Sequence, residues 1–422
     1  MFVFAFALCV VAGCRKKPTE AHLRLDNGLR VDLFATSSGD KAGLVVLFDI
    51  GANHDPAGRS GMAHLVEHLF ATSGGAEKPA RPVDKAKERY GQGFHTRTAA
   101  DYTLYGVEVS ADRILEEIDD ASFRMSRLQP TQNDLDRERG RLLDEIATLQ
   151  ERDPTAAAMH RAAEAVRPSR GGGLRGGVAA EIEKITLAEV EAFRRAHYGA
   201  PTARVIVTGR FDVEAISKQI KASFAIAPGG KLPPVREPAP SRVTGTLVMG
   251  DAPTAAALAV PIPEPKDPLY AAFLVLGERV AAPGDGTRAK PGWKSEFAPL
   301  VRPDVLLLGA PIPPGQPTQA EAFAARMRAD VTAIVAAPLA GDEADRVLAK
   351  YGAPLGITPP TAGDVAAAPF EAAFAVGRRA QLGVDGGALG QAARSITPEQ
   401  LAAAAKLFDT QNSAAIVTGG KI

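Results

Sequence analysis

The chain has 422 residues, too many for one ordinary hydrophobic core and enough for two domains of about 200 residues each. Apolar residues make up 45% and charged residues 23%, a globular rather than a disordered composition. Lys and Arg together number 49, as do Asp and Glu, so no net field draws the chain to nucleic acid or anionic substrates, and nucleic-acid binding is not expected.

Met1 to Cys14 form an apolar run that is too short to cross a bilayer as a helix and reads as an export signal. Its end, Val11-Ala12-Gly13-Cys14, resembles the lipobox of bacterial lipoproteins, where a peptidase cuts before the cysteine and lipid is attached to its sulfur. No Lys or Arg precedes the run, which departs from that pattern. An ordinary secretory signal and a buried N-terminal segment are the other readings. The resemblance implies removal of residues 1–13, a lipid anchor on Cys14, and attachment to the periplasmic face of the outer membrane, because Arg15 rather than an aspartate follows the cysteine. Cys9 would leave with the signal, so no internal disulfide is available to the mature chain.

Further along, Ala42 to Gly51 (AGLVVLFDIG) reads as a strand, Ser60 to Ala71 (SGMAHLVEHLFA) as a helix, and Tyr102 to Val109 (YTLYGVEV) as a second strand. Ile114, Ile118, Ala121, Met125 and Leu128 recur at steps of four and three, which predicts an amphipathic helix. Another helix is expected from about Asp134 to Gln150, followed by a loop at Arg167 to Gly177 (RPSRGGGLRGG). Ile185 to Gly209 and Ile396 to Gly419 align as a capped helix, a turn and a strand ending in Ile-Val-Thr-Gly. Their offset is half the chain, which implies a duplicated domain. The Pro- and Gly-rich stretch Ala227 to Arg242 is the linker. The expected domains are therefore 14–226 and 243–422, joined by 227–242. Strands followed by helices in each half predict an α+β fold rather than an alternating parallel sheet.

The helix at Ser60 to Ala71 raises the chemical question, because an apolar run holds His64, Glu67 and His68. Four residues apart on a helix, the two histidines project from one face and can reach one ion, with Glu67 beside them. That is the layout of two zinc ligands and a general base, the H-x-x-E-H order of inverzincins. The plain alternative is a core helix whose histidines find backbone partners. Zinc also needs a third protein ligand, and Glu138 and Glu145, seven residues apart on one helix face, are candidates that could equally form a solvated stripe.

These stretches resemble the M16 metallopeptidases, the superfamily of pitrilysin, insulysin and the mitochondrial processing peptidase. The likeness runs from Asn27 to Thr36 through Gly51 to Phe70, Asp101 to Asp120 and Leu135 to Ile146, ending at Ala196 to Asp212. Between His68 and Glu145 lie 76 residues, the interval at which that family places its third ligand. The resemblance implies one zinc ion held by His64, His68 and Glu145, with Glu67 as the catalytic base and Glu138 as the family's second acid, supporting the site. It also implies two related domains of mostly antiparallel sheet packed with helices, of the metallohydrolase type, and a peptide substrate lying extended along Gly91 to Tyr105. Where the family usually has Asn-Ala, this chain has His95-Thr96; His95 reads as a plain surface residue or a remote supporting group. All seven histidines lie at or before His197, so the second half cannot build such a site. In the region where many members place a substrate-gripping Arg and Tyr, Arg302 has no tyrosine close behind it. The implied protein is a periplasmic zinc endopeptidase. It would be the metal-bearing subunit of a heterodimer with a metal-free relative, or a homodimer. A catalytically weak binding or assembly subunit is the alternative.

Overall fold

The computed structural model describes residues 19–167, 176–232, 245–249, 253–281, 293–313, 320–358 and 361–419. The run expected to be an export signal, Cys14, most of the expected linker and most of the 167–177 loop lie outside the described residues.

The first half contains β1 (Glu20–Arg24), β2 (Arg30–Thr36), β3 (Lys41–Phe48), α1 (Met62–Thr72), α2 (Val83–Tyr90), β4 (Phe94–Thr98) and β5 (Thr103–Ser110). It continues with α3 (Ile114–Ser126), α4 (Gln132–Arg152), α5 (Pro154–Val166), α6 (Ala179–Ile182), α7 (Leu187–His197), β6 (Ala203–Arg210) and α8 (Val213–Ser223). Its sheet has the order β1-β2-β6-β3-β5-β4, which leaves β4 at an edge. β3 is apolar at consecutive positions because it is covered on both faces. Leu44, Val46 and Phe48 enter the core under α1 and α3, while Val45 and Leu47 point to the opposite side.

The second half contains β7 (Gly245–Met249), β8 (Pro253–Pro261), α9 (Tyr270–Ala281), β9 (Lys294–Glu296) and β10 (Val305–Pro311). Then follow α10 (Ala320–Val335), α11 (Glu343–Tyr351), α12 (Ala362–Ala367), α13 (Pro369–Leu382), α14 (Gly386–Arg394), α15 (Pro398–Leu407) and β11 (Ala414–Gly419). The sheet order is β7-β11-β8-β10-β9. β6 pairs parallel with β2 and antiparallel with β3, and β11 pairs in the same way with β7 and β8. Apart from β1, the two sheets match strand for strand. The fold is α+β, two similar sheets packed with helices, as the sequence predicts.

Each half sends one helix across to the other's sheet. α5 lays Ala158, Met159, Ala162, Ala163 and Val166 on Ala255, Ala257, Ala259, Val305 and Leu307 of the second sheet. In return, α13 lays Phe370, Ala373, Phe374 and Val376 on Val45, Leu47, Leu104 and Ile206 of the first. Both helices open on a proline, Pro154 and Pro369, whose fixed φ and missing N–H suit the first helical position. The approach is close enough that a glycine lies beneath each helix. A Cβ on Gly43 would stand 2.6 Å from the backbone N of Phe370, and one on Gly309 would stand 2.7 Å from Thr155.

Candidate metal centre

α1 carries the two histidines through the middle of the first half, with every residue but His64 buried. Both ends of the helix are held by charges. At the N-terminus the Asp55 carboxylate accepts hydrogen bonds from the backbone N–H of Gly61 (2.7 Å) and Ala63 (2.8 Å), where an anion also suits the helix dipole. Burial pushes Asp55 up to about 7 against the pull of those donors. At the C-terminus Arg124 donates to the carbonyls of Phe70 (2.7 Å) and Ala71 (2.9 Å).

α4 packs beside α1, opened by a capping box between Thr131 and Asp134. The carboxylate oxygen Oε2 of Glu145 lies 3.9 Å from His64 Nε2 and 3.5 Å from His68 Nε2. Ligands about 2.0–2.1 Å from a tetrahedral zinc stand roughly 3.4 Å apart, so these three atoms need close in only slightly to share one ion. Glu67 has its Oε2 3.8 Å from His64 Nε2. That same oxygen accepts a 2.7 Å hydrogen bond from Thr98 Oγ1 at the end of β4. Ligand atoms of His64, Glu67 and His68 all lie within 4.8 Å of one another. Glu145 is nonetheless the better third donor, because it approaches both imidazoles while Glu67 is held by Thr98. Two imidazole nitrogens and a carboxylate, with a second carboxylate nearby, are the donor set of a catalytic zinc site with an open position, so the residues fit the metal.

Glu138 occupies a different place from the other four. It is fully buried on the far side of His68, with Oε2 3.6 Å from His68 Nδ1, and it does not line the cavity that His64, Glu67, His68 and Glu145 face. Thr72 Oγ1 (2.9 Å), Arg137 Nε (3.0 Å) and Arg141 Nη1 (2.5 Å) donate to its carboxylate. Glu138 thus touches His68 rather than the cavity, the place of a residue that would orient the imidazole rather than meet a substrate. Arg141 also donates to Glu145 Oε1 at 3.2 Å, which leaves Oε2 turned toward the histidines.

Charge in this cluster is strongly coupled. Burial alone would lower the His68 imidazole, but Glu138, Glu145 and Glu67 raise it to about 9. Burial would likewise raise Glu138 and Glu145, yet His68 and Arg141 hold each at about 2, with His64 also acting on Glu145. Three carboxylates around two imidazoles make a site that favours a cation.

The cavity measures about 630 Å³ and runs along the edge strand β4, from Phe94 to Thr98. Two histidines without a spacing signal converge on it, His95 and His160. His95 is not a plain surface residue: its ring stacks on Phe370 at 3.7 Å between centroids and 11° between planes, and burial lowers its pKa. Arg97, two residues on, lies 5.7 Å from the Phe374 ring. Among the described residues the second half lines the cavity with Phe370, Glu371 and Phe374 of α13. Arg302 faces other clefts and lies 3.9 Å from Glu164. The helices of the second half that correspond to α1 and α4 are α9 and α11. A buried two-point ion pair joins them, with Arg279 donating to Glu343 at 2.5 and 2.7 Å.

Comparison with known families agrees with this architecture. A model described as Insulinase (Peptidase family M16) matches residues 30–174, and one described as Peptidase M16 inactive domain matches residues 184–284. Between them they take in more than half of the chain, which belongs to peptidase family M16. The chain is similar to the Zinc protease PqqE of Helicobacter pylori, 24% identical over 213 residues, covering 49% of this chain and 47% of that protein. The Mitochondrial-processing peptidase subunit beta of Dictyostelium discoideum is 24% identical over 202 residues, covering 48% and 43%. The alignments thus span less than half the length of these curated relatives. Among solved structures, a protease from Helicobacter pylori superposes with a TM-score of 0.77 at 20% identity, over 96% of this chain and 100% of that one. The periplasmic protease PqqL from Escherichia coli gives 0.66 at 16%, over 96% and 48%. At these identities the structures establish the fold.

Proposed function

We propose that the chain is a zinc-dependent endopeptidase that hydrolyses short or unfolded polypeptides in the periplasm. The observation that carries this reading is the convergence of His64, His68 and Glu145 beside an edge strand, with a carboxylate at Glu67 oriented by Thr98. When bound there, zinc would polarise the scissile carbonyl and make its water acidic enough to deprotonate near neutral pH. Thr98 holds the Glu67 carboxylate through Oε2, orienting it to receive that proton and deliver it to the leaving amine. An extended peptide gains main-chain hydrogen bonds by adding to the free side of β4. Its side chains then alternate between the α1 side and the wall formed by Phe370 and Phe374.

A paired arrangement belongs to this proposal. The second half offers the cavity two phenylalanines and a glutamate, and no Arg or Tyr, among the described residues. A related metal-free chain would supply the missing grip; a second copy of this chain is the other arrangement, and a weakly active binding subunit the alternative function. One relative's name, a processing peptidase subunit, supports the paired reading. Lipid on Cys14 would anchor the mature chain to the outer membrane. No helix among the described residues is long and apolar enough to cross a membrane. The test is to express the chain from Arg15 onward, measure bound metal, and assay a quenched peptide library with and without chelator. A chain without metal, or cleavage indifferent to chelation, would overturn the proposal.

A further inference from the structure

Arg378 on α13 is the largest fully buried side chain among the described residues, and its guanidinium is directed at the other half of the molecule. Nη1 donates to Asp101 Oδ2 at 3.0 Å and to Gln381 Oε1 at 2.5 Å. Nε donates to the Leu300 carbonyl at 2.6 Å, and the guanidinium carbon lies 4.4 Å from the Tyr102 ring centroid. Gln381 adds a second contact to the same place, donating from Nε2 to the Asp101 carbonyl at 2.8 Å.

Asp101 and Tyr102 form the turn of the β4–β5 hairpin. Thr98 pairs with Thr103 across it, and Ala99 N–H donates to the Tyr102 carbonyl at 2.9 Å. The first half holds this turn from another direction: Ala52 N–H donates to the Ala99 carbonyl (2.9 Å) and Asn53 N–H to the Ala100 carbonyl (2.8 Å). The turn is therefore clamped between a loop of its own half and a helix of the other. Thr98, the residue that enters the turn, is the one whose hydroxyl holds Glu67.

Stability does not account for a buried arginine here. Removing a guanidinium from water costs several kcal/mol, and apolar replacements of buried ion pairs are often neutral or stabilising. α13 already rests on the first sheet through Phe370, Ala373, Phe374 and Val376. The Asp101 side chain is 41% exposed, so it stays solvated without its partner. What apolar packing cannot provide is direction, which a planar five-donor group does.

We propose that Arg378 is a positioning residue which, through Asp101 and Tyr102, fixes the β4–β5 turn and so seats Thr98 against Glu67. The half without metal ligands thereby sets the orientation of the base. The inference rests on the reading of Glu67 as base, but the seating of the turn is testable by itself. Amide hydrogen exchange, zinc content, thermal stability and peptide kinetics are compared in the zinc-loaded full chain, Arg378→Met and Asp101→Ala. In Arg378→Met, amides of residues 96–103 should exchange about tenfold faster while α1 is unchanged. Zinc content should stay level, and the melting temperature should fall modestly, because the Leu300 carbonyl and Gln381 Oε1 lose their donor. The kcat should fall about tenfold with KM within about twofold, as expected when a catalytic group is slightly misplaced. Asp101→Ala should shift the same readouts less, and it decides the matter if Arg378→Met does not fold, because its site is half exposed. Unchanged exchange at 96–103, a fall in zinc content, or faster exchange with wild-type kcat would each overturn the proposal. Should the wild type alone cleave no peptide, as the proposed need for a partner allows, the exchange data decide whether Arg378 seats the turn.

Discussion

His68 and Glu138 face each other across 3.6 Å, imidazole Nδ1 to carboxylate Oε2, with the carboxylate completely buried. This leaves Nε2 of His68 as the nitrogen directed at Glu145. A carboxylate behind a metal-bound imidazole fixes its orientation and raises its basicity, and losing such a partner typically costs about 10- to 100-fold in metal affinity. Glu138→Gln should therefore weaken zinc by about that factor, while Glu145→Gln, which removes a proposed ligand, should weaken it more. Competition with a chromophoric chelator ranks the two; the reverse order would exchange their roles.

Thr98→Val keeps the size of the side chain and removes the hydroxyl that donates to Glu67. The expected outcome is retained zinc and a kcat reduced by roughly tenfold, since a general base contributes about 10²- to 10⁴-fold and would here be misdirected rather than lost. Equal kinetics for mutant and wild type would show that Glu67 does not depend on this hydrogen bond.

Asp55 gives the fold a pH dependence. Its folded-state pKa is raised from 3.8 to about 7, so the folded state holds a proton that the unfolded chain has released. The associated stability is fully present below about 4, and it is lost as pH rises to about 7. Asp55→Asn cannot ionise and should flatten the slope of unfolding free energy between those limits. It also loses one acceptor for the Gly61 and Ala63 N–H groups, costing about 1–3 kcal/mol. Urea unfolding of both proteins at several pH values checks both effects.

Gly43→Ala tests the crossing of α13. The added Cβ would sit 2.6 Å from the Phe370 backbone, so the helix must shift. A loss of about 1–3 kcal/mol is expected from such overpacking. Because Phe370 also lines the cavity, KM for peptides should rise as well. An unperturbed melting temperature would mean that the two halves are not joined at this point.

What could be read from the sequence was local. His64, Glu67 and His68 share one helical turn, and the step from Glu138 to Glu145 is two turns of another helix, so periodicity alone aligns them. The duplicated helix–turn–strand units, α7–β6 and α15–β11, were legible for the same reason. The crossing of α5 and α13 was not, because a stripe of alanines or a Phe370–Phe374 pair looks the same whether it covers its own sheet or the other one. His95, His160 and Thr98 carry no spacing signal at all. They reach the cavity because the sheet edge, the crossing helix and α1 meet there, which is a property of long-range packing. Glu138 and Glu145 look alike by periodicity, and only the family interval separates them in sequence; the physical difference is burial behind His68 on one side and exposure to the cavity on the other.

Glu67 is proposed as the base of a zinc site held by His64, His68 and Glu145. The most direct test is Glu67→Gln in the full mature chain, measuring zinc per chain together with turnover of a quenched peptide. The side chain keeps its size and its place beside Thr98 but loses its basicity. Zinc content should match the wild type, and turnover should fall at least about 10²-fold. Loss of the metal would make Glu67 a ligand, and undiminished turnover with zinc in place would remove it from the reaction.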